Sequence, residues 1–361
     1  MEKKKVLHIV ESFGSGVFSF LVDLINNTDE EFEVTVAYGV RSETLNDFRD
    51  YFNDKVQFIE VKNFTRSINP IKDLKALIEI KKIIRNVKPD VIHLHSSKAG
   101  FLGRFAANGR KIKMLYNPHG FSFLMQNSSK LKRKIYYFIE KIAALRKCTI
   151  VGCSKGEYEE ALKLTKNAIN INNGIDINNL DAIVKNSNKR ELDVNNLKIC
   201  TIGRIGFQKN PELFNQIAES FPDIQFTWIG DGDLRNKLVS KNITITGWLK
   251  REEVLKEVAN NDIFILTSLW EGLPISLLEA MYLQKICIVT NFIGNSDVIE
   301  NNKNGFVCND INEFINNIEQ LLNHNIDYTN FLFNAKEDVV NDYNTKIMSD
   351  KYIKVYNGQE I

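Results

Sequence analysis

The sequence predicts an α/β protein of two doubly wound parallel-sheet domains, and three observations carry that expectation. Short β-rich runs alternate with longer stretches of helical period, the pattern of parallel sheets covered by helices on both faces. The alternation breaks at Lys185-Asn186-Ser187-Asn188-Lys189-Arg190, too polar to join a core, and then restarts. The length of 361 residues, with 43% hydrophobic and 25% charged side chains, fits about two globular domains of ordinary size.

In the first half, strands are expected at 6–10, 33–38, 56–61, 91–95, 114–117 and 149–153. A helix over 73–87 sets Leu74, Leu77, Ile78, Ile83, Ile84 and Val87 on or near one stripe, and Lys88-Pro89-Asp90 stops it. In the second half, strands are expected at 198–202, 225–229, 244–246, 263–266 and 286–290. The expected division is a first domain over 1–180, a linker over 181–196, a second domain over 197–345, and a C-terminal helix over 346–361 able to return to the first domain.

No apolar run approaches the roughly 20 residues that cross a bilayer, and the first strand is too short and interrupted for a signal peptide. Cys148, Cys153, Cys200, Cys287 and Cys308 are odd in number and scattered, which suits a reducing, cytoplasmic compartment. Net charge is only +2, yet residues 101–150 hold eleven Lys or Arg and one acid, Glu140. That basic stretch is either a solvated face or the site of an anionic partner; no nucleic-acid partner is expected.

Ligands of open parallel sheets bind beyond the carboxyl ends of the strands, so the loops there carry the chemistry. After the first strand, Gly14-Ser15-Gly16 permits a tight turn into a helix whose free N–H groups can meet a phosphate. The full dinucleotide fingerprint is missing, because Ser19 stands at its last glycine, and by itself the turn is as readily structural. The second domain opens with Gly203-Arg204 and, five residues on, Lys209, ahead of a helix that Pro211 can start. A planar fork and a point charge at a strand end suit a diphosphate. In the segment Glu271-Gly272-Leu273-Pro274-Ile275-Ser276-Leu277-Leu278-Glu279, Glu271 lies in a turn and Glu279 on a helix starting near Pro274. The turn offers N–H groups to phosphate, and a carboxylate on the buried side of the helix needs a partner such as vicinal ribose hydroxyls.

Glu271 and Glu279, with seven residues between them in E-G-L-P-I-S-L-L-E-A, resemble the E-x7-E signature of the retaining family-four glycosyltransferases of GT-B fold. Gly14-Ser15-Gly16, His119-Gly120, Cys153-Ser154-Lys155, Asn173-Gly174-Ile175-Asp176, Gly203-Arg204 with Lys209, Gly230-Asp231-Gly232, Gly247-Trp248 and Asn304-Gly305-Phe306 follow in the family's order over essentially the whole chain. The resemblance implies two Rossmann-like domains facing a cleft. It implies that Gly16 approaches the donor phosphate, His119 contacts the transferred sugar, Arg204 and Lys209 bind the pyrophosphate, Glu271 lies at the sugar and Glu279 binds the ribose. It adds Gly272, Leu273 and Pro274 to the donor loop. The chain departs from the family where Ser15 and Asn295 stand at positions that many members fill with glycine. The stretches His93-Leu94-His95-Ser96-Ser97-Lys98-Ala99-Gly100 and Asn117-Pro118-His119-Gly120-Phe121 resemble the subset that builds capsular, exopolysaccharide or lipid-linked glycans.

The expected activity is therefore transfer of a hexose or N-acetylhexosamine from a nucleoside-diphosphate sugar, UDP first, to a lipid-linked saccharide. A UDP-sugar 2-epimerase of the same fold and a non-catalytic nucleotide-sugar-binding protein are the rivals. No metal or other cofactor is expected, since Arg204 and Lys209 offer the diphosphate two charges, and Asp231-Gly232-Asp233 reads as a turn and helix cap. His93 and His95 are expected on opposite faces of their strand, and Cys148 and Cys153 lack a second pair, so neither set is expected to ligate a metal. Residues 128–147, with Lys130, Lys132, Arg133 and Lys134 beside Tyr136, Tyr137 and Phe138, are expected to dock an anionic membrane surface at the inner face of the cell membrane.

Overall fold

The computed structural model describes residues 3–11, 13–41, 44–65, 67–184, 196–323 and 328–361. They divide into two compact units, one of Met1–Leu124, Ser128–Gly174 and Thr345–Ile361, the other of Met125–Asn127 and Ile175–Asn344.

In the first unit, β1 (Lys4–Val10), β2 (Phe32–Tyr38), β3 (Gln57–Glu60), β4 (Val91–His95), β5 (Lys113–Asn117), β6 (Thr149–Gly152) and β7 (Ala168–Asn170) form one parallel sheet in the order β3-β2-β1-β4-β5-β6-β7. The central strands are almost wholly buried, as a sheet covered on both faces requires. One face is covered by α1 (Ser15–Asn26) through an aromatic-rich core of Phe13, Phe18, Phe20, Tyr38, Phe48 and Phe52. The other is covered by α2 (Pro70–Val87), α3 (Ser97–Ala106), α4 (Lys130–Ala143) and α5 (Lys155–Leu164).

Helix α2 buries part of the stripe expected of it, with Ile83 buried and Leu77, Ile84 and Val87 packed partly against the core. Its seam is Ala76, Ile80 and Ile83, at i, i+4 and i+7, while Leu74 and Ile78 face solvent. Helix α4 is pinned from inside: Arg104 of α3 lies 2.6 Å from Glu140, and the Tyr116 hydroxyl donates to the same carboxylate at 2.9 Å. The one acid of the basic stretch is thus buried and paired, and the charges left on its outer surface are all cationic.

The second unit begins with α6 (Ile177–Val184), whose first turn is capped by Asp176 accepting from the N–H groups of Asn178 and Asn179. Residues 181–184, expected as linker, therefore finish a helix, and 185–195 lie outside the described residues. Strands β8 (Lys198–Ile202), β9 (Gln225–Ile229), β10 (Ile243–Ile245), β11 (Ile263–Leu266), β12 (Ile286–Thr290) and β13 (Phe306–Cys308) pair in parallel in the order β10-β9-β8-β11-β12-β13. The helices α7 (Pro211–Ser220), α8 (Arg251–Ala259), α9 (Ile275–Tyr282), α10 (Ile311–Leu322) and α11 (Thr329–Asp342) cover it. The last helix, α12 (Thr345–Asn357), belongs to the first unit, where Met348, Tyr352, Val355 and Tyr356 join the α1 core.

Both sheets reverse direction of strand order at one place, between β1 and β4 and between β8 and β11. Those are the switch points where loops part and leave a crevice for ligand. All five cysteines are free and buried, and no helix among the described residues is long and apolar enough to cross a membrane.

Candidate active site

In the second unit, the loops after the adjacent strands β8 and β11 are stitched together. Gly203 turns the chain at φ +144, and a Cβ there would sit 2.8 Å from Lys209 Cε, so glycine lets the lysine stem fold across the turn. Thr267 Oγ1 donates to the Lys209 carbonyl at 2.7 Å, and the Leu269 N–H to the Gln208 carbonyl at 2.8 Å. Lys209 Nζ then reaches Glu271 Oε1 at 2.8 Å, while Gln208 Nε2 donates to Glu271 Oε2 at 3.2 Å and to the Trp270 carbonyl at 2.9 Å. Arg204 extends the other way, with Nη2 at 2.7 Å from Asp233 Oδ2. The aspartate read as a helix cap is thus the partner of Arg204, and Asp231 accepts from Arg235. Asp231 also accepts from the Gly232 N–H at 2.8 Å, a local turn contact, while the 3-10 turn that follows over Arg235–Lys237 has no side-chain cap.

Gly272, Leu273 and Pro274 lead from Glu271 into α9, whose first turn no side chain caps. At Gly294, φ is +88 and a Cβ would lie 2.5 Å from the Gly272 carbonyl, so the donor loop rests on a second glycine. The neighbouring Asn295 is buried, and its amide donates to Thr290 Oγ1 at 3.1 Å. Glu279 sits one turn into α9 and is buried. Its carboxyl is pushed up by burial, and opposed in this by Arg251 of α8. Arg251 Nη2 lies 2.7 Å from Glu279 Oε1, an ion pair, and a carboxylate has lone pairs beyond that one contact with which to accept from a ligand hydroxyl. Three cations, Arg204, Lys209 and Arg251, are thus each matched by a carboxylate. A diphosphate bound here competes with, or shares, those partners.

In the first unit, Gly16 lies in the first turn of α1, after an extended Gly14. The space around it is open, with nothing within 4 Å of a Cβ. Its N–H is one of the first-turn donors an α-helix cannot satisfy internally. His119 follows β5 in a left-handed conformation, φ +53, and Gly120 continues at φ +95. Buried Glu157 of α5 holds this loop, accepting from the Gly120 N–H at 2.6 Å and from the Cys153 N–H at 2.9 Å. Phe20 of α1 packs edge-on to His119 with ring centroids 4.8 Å apart.

His93 and His95 do not face opposite ways. Residues two apart on a strand share a face, and His8, His93 and His95 gather with ligand-capable atoms within 4.8 Å of one another. Their nitrogens are largely spent on hydrogen bonds: His93 on Tyr356 at 2.7 Å and Asn117 at 2.6 Å, His8 on His95 at 3.0 Å, and His95 also on His119 at 3.1 Å.

Sequence reasoning missed Arg251, Gln208, Asp233 and Glu157. Arg251 looks like any charge at a helix start, and Gln208 carries no pattern of its own. Glu157 did carry a signal, since Ser154-Lys155-Gly156-Glu157 has capping-box spacing and Ser154 Oγ accepts from the Glu157 N–H at 3.2 Å.

Two family profiles match the chain: "Glycosyl transferase 4-like" over residues 15–154 and "Glycosyl transferases group 1" over 183–338. A UDP-Gal:α-D-GlcNAc-diphosphoundecaprenol α-1,3-galactosyltransferase of Escherichia coli is 31% identical over 340 residues, 85% of each chain. An N,N'-diacetylbacillosaminyl-diphospho-undecaprenol α-1,3-N-acetylgalactosaminyltransferase of Campylobacter jejuni is 26% identical over 334 residues, 85% of this chain and 89% of the relative. Among solved structures, a sucrose-phosphate synthase of Thermosynechococcus elongatus superposes with a TM-score of 0.81 over 99% of each chain, at 14% identity. With two Rossmann-like units, the E-x7-E segment at the β11 switch point and this similarity over most of its length, the chain belongs to the family-four glycosyltransferases of GT-B fold and is a glycosyltransferase.

Proposed function

We propose that this enzyme transfers a hexose or N-acetylhexosamine from a UDP-sugar, with retention of configuration, to a saccharide carried on a polyprenyl diphosphate at the inner face of the cell membrane. The observation that carries the reading is the stitched pair of loops after β8 and β11, which brings Arg204, Lys209, Glu271 and the Gly272-Leu273-Pro274 turn together ahead of Glu279.

In this reading Arg204 and Lys209 bind the diphosphate and stabilise the charge that grows on it as the glycosidic bond breaks. The first-turn N–H groups of α9 and of Gly16 add uncharged donors. Glu279 accepts from the ribose hydroxyls, Glu271 orients the sugar, and His119 contacts it. Retention is supported by the relatives' names, which describe α-linked products, the anomer that UDP-galactose itself carries. No divalent metal is assigned a role.

The lipid-borne acceptor is supported by the same relatives, both named for undecaprenol-diphosphate substrates. It is supported too by α4, where Leu131, Ile135, Phe138, Ile142 and Leu145, at helical spacing, face solvent. Phe138 is 63% exposed, and Leu145, just past the helix end, 84%. Lys130, Lys132 and Lys134 flank this ridge and are exposed, whereas the Lys141 ammonium donates to the Lys163 and Leu164 carbonyls at 2.8 and 3.0 Å. Tyr136 and Tyr137 instead pack toward the core, and Arg133 donates to the Phe123 carbonyl at 2.9 Å, so the membrane-facing set differs from the aromatic cluster expected. An apolar ridge edged by lysines suits the boundary between headgroups and acyl chains.

The test is UDP release from a panel of UDP-hexoses and UDP-N-acetylhexosamines, with and without a polyprenyl-diphosphate-linked saccharide. Release that requires both substrates, with one added sugar on the acceptor by mass, is expected. Release that ignores the acceptor, or conversion of the donor to its 2-epimer, would overturn the reading.

A further inference from the structure

We propose that His8 and His95 are positioning residues for His119, forming a ladder of ring-to-ring hydrogen bonds that fixes His119 as the Nδ1–H tautomer and aims that N–H at the sugar. The proposal rests on the reading that His119 contacts the transferred sugar.

The ladder runs from the sheet centre to the loop. His8 Nδ1 lies 3.0 Å from His95 Nε2, and His95 Nδ1 lies 3.1 Å from His119 Nε2. The rings are nearly parallel, at 15° and 19°. His8 and His95 are fully buried, and the inner end, His8 Nε2, is a buried atom with no hydrogen-bond partner among the described residues.

A neutral imidazole has one N–H and one lone pair, so each ring-to-ring contact orients the next. The rings are neutral: burial, with neighbouring histidines, holds His8 and His95 well below the ordinary imidazole range, and lowers His119 to about 3. Two assignments remain. If protons run inward, His8 Nε2 carries a buried N–H with no acceptor, a rare and costly state. If they run outward, that atom is a bare lone pair. The outward direction makes His8 Nδ1 donate to His95 Nε2, and His95 Nδ1 donate to His119 Nε2, leaving the His119 proton on Nδ1.

His93 does not join the ladder. Asn117 Oδ1 can only accept, so His93 Nε2 donates to it at 2.6 Å, and Nδ1 accepts from the Tyr356 hydroxyl at 2.7 Å. Its ring centroid is 4.1 Å from that of His95 and wedges that ring in place. Phe20 braces the outer end, against both His95 and His119.

The experiment is a long-range 1H–15N correlation spectrum of the full chain labelled with 15N-histidine, read with steady-state kinetics. His8, His95 and His119 are expected as Nδ1–H tautomers in the unmutated protein, and an Nε2–H signal for His119 overturns the proposal without any variant. His95→Phe should shift His119 toward Nε2–H and lower kcat roughly tenfold to a hundredfold, the scale for a misplaced contact, with donor KM nearly unchanged. His95→Asn, whose amide nitrogen sits near the place of Nδ1, should recover most of that loss, which a purely structural role would not require. An unshifted His119 tautomer in a folded His95→Phe protein contradicts the ladder. Unimpaired turnover in His119→Ala would instead sink the sugar-contact reading, with the tautomer spectrum still judging the ladder.

Discussion

Removing Arg251 should expose what opposes burial at the Glu279 carboxyl inside the second unit. The Glu279 side chain is 5% exposed and Arg251 28%, so Arg251→Ala leaves a buried carboxylate without its cation. Breaking such a pair costs about 3–5 kcal/mol when both members are deeply buried, and the partial exposure of Arg251 argues for the lower end. Protonation sets a ceiling. The carboxyl can escape the penalty by taking a proton, which costs about 1.4 kcal/mol per pH unit above an unfolded value near 4.3. That ceiling is about 4.4 kcal/mol at pH 7.5 and about 1.6 kcal/mol at pH 5.5. Because burial raises the folded value, the penalty is absent below the unfolded value and grows as pH rises toward the folded one. A loss near 3 kcal/mol at pH 7.5 lowers the unfolding midpoint of a unit this size by about 6–12 °C. Thermal unfolding of the single and double variants with Glu279→Gln, at both pH values, measures it. The loss should shrink at pH 5.5 and be largely relieved in the double variant. A pH-independent loss, or one that Glu279→Gln does not relieve, refutes the reasoning.

The two glutamates should separate kinetically: Glu279→Gln should mainly raise donor KM, because a ribose contact is equal in ground and transition states, while Glu271→Gln should mainly lower kcat. Indistinguishable profiles would end the division of roles. Turnover should survive exhaustive EDTA treatment and gain nothing from Mg²⁺. Since the structure pairs Arg204 with Asp233 and Lys209 with Glu271, this is a stringent test, and activity abolished by chelation and restored by Mg²⁺ would show that the diphosphate needs more charge than these side chains supply. Replacing Leu131, Ile135, Phe138 and Ile142 with serine should abolish sedimentation with anionic liposomes, whereas changing Lys130, Lys132 and Lys134 to glutamine should weaken it in a salt-dependent way. Equal binding by all three proteins would remove α4 as the docking element.

What the sequence made legible followed from strong local patterns. Strands β4, β8, β9, β11 and β12 fall on the expected residues because each is a short run rich in β-branched, aromatic or other apolar residues, closed by a turn. Strands β7 and β13, three residues each, were not expected although the equally short β10 was; they are held by pairing with β6 and β12. The outward turn of Leu74 and Ile78 was equally hidden, since an apolar count cannot say which of two stripes meets the sheet. At the site, the chemical residues were readable, but the contacts that Asp233, Arg251 and Glu157 make with them were not. Those contacts join residues 29, 28 and 37 positions apart, which no local spacing records. The histidines were misjudged by an error of strand geometry, and correcting it gathers His8, His93, His95 and His119 into one cluster.

The central claim is that Arg204 and Lys209 hold the donor's diphosphate, and calorimetric titration of UDP tests it most directly. The wild-type protein should bind UDP, and Arg204→Ala and Lys209→Ala, each folded, should bind it at least tenfold more weakly, since each loses a charge-assisted contact worth about 1.5–3 kcal/mol. Uridine, lacking phosphate, should bind all three alike and weakly. Undiminished UDP affinity in both variants would contradict the assignment of this loop.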